Sequence, residues 1–123
     1  MDVPLRIADR ISQQLIALRG TGRSLTVEVG DVFYQAASYD ADQVLIEVPA
    51  ARFLPDDHLL PPDSDAGLLR LGFTQPTPSM PNWWIGIEDG YEADLFTAAH
   101  AVTTALLRIY GVPLETLLEA VTQ

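Results

Sequence analysis

His58 and His100 are the two imidazoles in the chain, and there is no cysteine. A transition-metal site draws on such groups at short spacing along one element. Here they stand on different segments, and neither is followed by a second His or Cys at ligand spacing. His100 reads as a partly packed residue beside the apolar stripe of a long helix. His58 follows Asp56-Asp57 in a proline-rich loop and offers at most a weak, transient metal contact. The carboxylate pairs Asp56/Asp57 and Asp63/Asp65 fall in the same polar stretch. General acid work needs a carboxyl whose proton affinity is raised by burial or by a neighbour, and a solvated loop supplies neither. Ser12, Ser24, Ser38, Ser64 and Ser79 lack a nucleophile-elbow context. Gly20-Thr21-Gly22 has neither the later glycine of a dinucleotide fingerprint nor the lysine of a phosphate loop. These patterns predict no enzyme, no cofactor and no metal, and alanine at His58, His100 or the paired aspartates is expected to leave activity intact.

What stands out instead is Pro81-Asn82-Trp83-Trp84. Adjacent side chains on a strand point to opposite faces, so one tryptophan enters the core while the other meets a helix, a partner or solvent. Exposed aromatics anchor binding surfaces. Two core tryptophans, one on each side of a covered sheet, remain the competing reading.

The elements that position these residues are set by periodicity. Ile7, Ile11, Leu15 and Leu18 recur at helical spacing, with Pro4 near the start and Gly20 at the end, which predicts a helix over Pro4 to Leu18. Leu25, Val27 and Val29 alternate with polar residues. Phe33 to Tyr39 is a second strand-like run, and Val44, Ile46 and Val48 mark a third. Gly30-Asp31 and Asp40-Ala41-Asp42 separate them as hairpin turns would. The middle is broken by Pro55, Pro61, Pro62, Pro76, Pro78 and Pro81. Within it, Asp63-Ser64-Asp65 is placed to cap a short helix over Ala66 to Leu71 that Gly72 stops. Phe73 begins a short extended piece, and Pro81 to Ile87 reads as a further strand. Leu95, Ala98, Ala99, Val102, Ala105, Leu106 and Ile109 form a helical stripe between Tyr91 and Gly111. Leu114, Leu117, Leu118 and Val121 predict a last short helix.

The 123 residues, 48% apolar, suit one globular domain over 1–123 that buries roughly two-thirds of its unfolded surface. Seventeen acidic residues face seven basic ones, all arginine, for a formal charge of -10. Such a surface repels nucleic-acid phosphates and anionic membranes, keeps the chain in solution and attracts basic partners. No apolar run approaches the ~20 residues of a membrane span. The start, Met1-Asp2-Val3-Pro4, has no signal-peptide pattern, so a cytoplasmic location is expected.

Ala51-Arg52-Phe53-Leu54-Pro55, then Leu68 to Leu71 with Gly72-Phe73, then Pro76 and Pro81-Asn82-Trp83-Trp84, resemble in order the motifs of the actinobacterial TY-Chap domain family. In that family an R-F-L segment after the third strand leads to L-x-x-L-G-W/F, a proline and P-N-W. Leu106 to Val112 is similar to its closing helix. Ala51 and Phe73 depart from the pattern, where a polar residue and a tryptophan are commoner. The family is related to type III secretion chaperones and YbjN-like proteins. The resemblance implies an α-β-β-β-α-β-α fold of the α+β class, an antiparallel sheet carrying the N- and C-terminal helices. It implies a domain, often a dimer, that holds a peptide segment of a partner and has no established catalytic residues.

The expected function is therefore a non-enzymatic, chaperone-like hold on a protein or peptide, with a constitutive subunit of a larger assembly as the alternative. The expected contact residues are Trp83, Trp84, Phe53 and Leu54, which combine large apolar groups with flanking prolines beside a sheet edge able to accept another strand.

Overall fold

A computed structural model describes residues 2–40 and 42–122. Helix α1 spans Val3–Leu18 and buries Ile7, Ile11, Leu15 and Leu18. Strands β1 (Ser24–Val29), β2 (Val32–Tyr39) and β3 (Gln43–Val48) come next as a meander. Strand β4 (Trp83–Ile87) pairs with β3, giving one antiparallel sheet in the order β1-β2-β3-β4. Asp40 turns the second hairpin with φ 49°, and Ala41, the middle of that expected turn, lies outside the described residues.

Alternation decides which face is buried. Val32, Tyr34 and Ala36 of β2, Val44, Ile46 and Val48 of β3, and Trp83 and Ile87 of β4 face the helices and join their apolar side chains in one core. Fully burying an aliphatic or aromatic side chain is worth about 1.5–3 kcal/mol, so this stripe-on-sheet match is the main force behind the fold. Helix α1 packs chiefly on α3 (Glu92–Thr104), while α4 (Leu114–Thr122) packs on α1 and under β1. The expected α+β arrangement, N- and C-terminal helices on an antiparallel sheet, is what the chain forms.

Three details differ from the periodic reading. Helix α2 covers Ser64–Arg70, so it starts two residues earlier than Ala66, and Asp63 at its N-cap makes no side-chain capping bond. His100 is exposed on α3 instead of partly packed, because it falls opposite the Leu95–Val102 stripe. The long helix passes into a π-turn over Ala105–Ile109, where the Tyr110 N–H reaches back to the Ala105 carbonyl. A π-turn holds one more residue than an α-turn, which rotates the residues after it about the helix axis. Tyr110 thereby enters the core and donates to the Pro49 carbonyl at 2.6 Å. Ile109, expected in the main stripe, packs instead against Gly67 of α2, where an added Cβ would lie 3.0 Å from the Ile109 Cδ1.

His58 is a strut of the proline-rich loop. Its Nδ1 lies 2.8 Å from the Asp31 carboxylate in the β1–β2 turn, and its Nε2 lies 2.7 Å from the Tyr110 carbonyl. The ring thus ties the proline-rich loop to the β1–β2 turn and to the segment that follows the long helix.

Candidate peptide-binding site

The P-N-W sequence separates into structural and surface parts. Asn82 is buried at the entry to β4. Its Oδ1 accepts the Ala50 N–H at 3.4 Å, and its Nδ2 donates to Glu47 at 3.4 Å. The amide thus ties the start of β4 to the end of β3. Glu47 also accepts from the Gln35 amide at 3.1 Å, which makes a polar row across the outer face of the sheet. No role for Asn82 was evident from sequence, because spacing does not reveal a side chain that bonds across to a strand 35 residues earlier.

Trp83 points to the helix side and is only 5% exposed; its remaining surface borders a depression with Arg52, Pro76, Pro78 and Pro81. Trp84 points to the opposite face. Its indole lies over Gly86, where an added Cβ would stand 3.3 Å from the ring. The Trp84 Nε1 is shielded and has no hydrogen-bond partner among the described residues. Leu45 pairs in register with Gly86 on this outer face and is 8% exposed. Trp84, Leu45, Tyr39 and Gln43 border a shallow hollow of about 260 Å³. Thr26, Glu28 and Tyr39 on the same face are exposed, as expected for a face that no helix covers.

Phe53 and Leu54 lie in and after a short 3-10 turn, Ala51–Phe53. Phe53 is 48% exposed with the Arg52 guanidinium stacked over its ring at 4.7 Å, whereas Leu54 is buried. The expected residues therefore divide into two on the surface, Trp84 and Phe53, and two packed beneath it, Trp83 and Leu54.

The edges of the sheet complete the picture. Beside β4, Thr74 forms one antiparallel bridge with Trp84: the Thr74 N–H donates to the Trp84 carbonyl at 2.7 Å, and the Trp84 N–H donates in return at 3.3 Å. Two residues earlier the chain has already left the edge. The Gly72 N–H bonds the Leu69 carbonyl and the Phe73 N–H bonds the Leu68 carbonyl, the paired bonds that close a helix with a left-handed residue, here Gly72 at φ +100°. That turn lifts the backbone off β4. A groove of about 310 Å³ opens there, lined by Leu71 and Gly72, by Ile85 to Asp89, and by Asp94, Thr97, Ala98 and Ala101 of α3. Among the described residues no group of three or more His, Cys, Asp or Glu side chains is placed to hold a metal ion, and no helix is long and apolar enough to cross a membrane.

The result is an antiparallel sheet with one helix-covered face, one open face and a partly uncovered β4 edge. Residues 6–123 match the family model described as TY-Chap3, T3SS (YopN, CesT) and YbjN peptide-binding chaperone 3, and the chain belongs to this family. No curated protein and no solved structure matches it.

Proposed function

We propose that this protein is a non-enzymatic chaperone-like domain that holds an extended segment of a partner protein in the cytoplasm. The observation that carries the reading is the whole-chain match to a peptide-binding chaperone family, set beside a sheet that leaves apolar side chains and an edge uncovered. Trp84 and Phe53 are the direct contacts in this reading. Trp83 and Leu54 act from below, as the packed floor that holds those contacts in place. A half-buried aromatic already held on a strand, as Trp84 is, loses little conformational entropy on binding, which suits it to anchor a flexible segment.

Affinity purification of the tagged chain from its native host, with mass spectrometry of the retained proteins, tests the reading. A protein retained by the parent and released by Trp84→Ala, with the variant's circular dichroism unchanged, supports it. Turnover of a small substrate by the purified protein, abolished by His100→Ala, would contradict it.

A further inference from the structure

We infer that the groove between β4 and α3 takes a short extended segment of another protein that pairs with Gly86 and carries lysine or arginine beside a small or medium apolar residue. The inference rests on the peptide-holding reading and gives it a place and a partner chemistry.

Backbone polarity comes first. In an antiparallel sheet the N–H and C=O of successive residues point alternately to the two neighbouring strands. The Trp84 groups point away from β3, toward Thr74. Gly86, two residues on, must point the same way. The residue opposite it in that ladder is Gly72, whose N–H is already spent on Leu69 inside the turn that closes α2. Among the described residues no backbone bond joins Gly86 to Gly72 in either direction, so Gly86 is a rung with no strand beside it, which is the feature a strand-adding peptide uses.

The walls of the groove specify the side chain. Ala98 and Ala101 on α3 are small, and with Ile85, Ile87 and Leu71 they leave an apolar slot beneath the edge. Glu88, Asp89 and Asp94 rim it, and no lysine or arginine lines it. Asp94 lies in the first turn of α3, where the helix N-terminus favours a negative group. Arg19 is engaged nearby by the Gly90 carbonyl at 2.8 Å and by Glu92 at 3.4 Å. An incoming segment thus meets an unpaired rung, an apolar slot and three carboxylates, and a basic, partly apolar strand answers all three. An acidic strand would be repelled by the rim and by the net charge of -10.

Fluorescence anisotropy with two labelled octapeptides, one alternating valine with lysine and one alternating valine with glutamate, tests the inference. The lysine peptide is expected to bind at least ten-fold more tightly. Glu88→Gln with Asp94→Asn should weaken it at least ten-fold, while Glu115→Gln with Glu119→Gln, the same charge change on exposed α4 positions, should leave it within two-fold. Gly86→Pro removes the free N–H, and Thr97→Arg fills the slot with a guanidinium; each should abolish binding with circular dichroism unchanged. Equal losses from the two charge pairs, or full binding by folded Gly86→Pro and Thr97→Arg, would overturn the groove. In that event, retention of a host partner through Trp84 would still uphold the broader reading, and loss of both would end it.

Discussion

Thr74 and Trp84 exchange two backbone hydrogen bonds, and this rung marks where coverage of the β4 edge stops. Thr74→Pro removes the donor of the shorter bond, 2.7 Å to the Trp84 carbonyl. The expected cost is about 1–3 kcal/mol, read as a lower denaturant midpoint. An unchanged midpoint would mean that the rung contributes nothing to stability.

The two tryptophans should part company on truncation. Trp83→Ala empties a core site and is expected to cost about 3–5 kcal/mol. Trp84→Ala removes an indole from the open face and should cost clearly less. Trp84→Phe also eliminates an N–H that has no partner among the described residues, so it should be nearly neutral. Thermal melts of the three variants check the order; equal losses for the two alanine variants would mean that Trp84 is core.

Tyr34 and Tyr110 predict an alkaline limit. Burial raises both phenols well above the ordinary value; the Gln14 contact partly offsets this for Tyr34, and the nearby Asp65 charge adds to it for Tyr110. A group whose proton is held more tightly when folded contributes stability that is complete below its unfolded value, roughly pH 10, and that is lost as pH climbs beyond it. Part of the tyrosinate absorbance should therefore appear only together with loss of far-ultraviolet dichroism. Tyr110→Phe should destabilise more than Tyr34→Phe, because it strands the buried Pro49 carbonyl, whereas Gln14 is half-buried and can turn to water.

The periodic elements were legible in the residues because each buries a regular stripe: Ile7 to Leu18, the alternation of β1 and β3, and the Leu95 to Leu106 run all face the core. The opposite orientations of Trp83 and Trp84 came from strand geometry alone. The features that stayed hidden have no period. One bridge at Thr74 in a proline-rich stretch leaves no alternation to read. The π-turn that swaps Ile109 for Tyr110 shifts the phase without changing composition. The groove beside Gly86 depends on where the α2 turn lifts the chain, a matter of three-dimensional register that Gly72 alone does not reveal.

The turn between β4 and α3 supplies a separate check. Gly90 has φ +64°, and an added Cβ would stand 2.5 Å from the Asp42 backbone carbonyl oxygen. A backbone atom has little freedom to yield, so Gly90→Ala should cost upwards of about 2 kcal/mol, combining left-handed strain with the clash. Chemical denaturation measures it, and a loss below half that figure would place the turn elsewhere.

Amide hydrogen exchange at Gly86, with and without the retained partner or the valine–lysine peptide, reports whether a strand is added to the β4 edge. The Gly86 N–H points away from β3, so it should exchange rapidly in the free protein and slow at least ten-fold when a strand is added there. Saturating the protein with that ligand while Gly86 continues to exchange at its free rate would contradict a peptide held on the β4 edge.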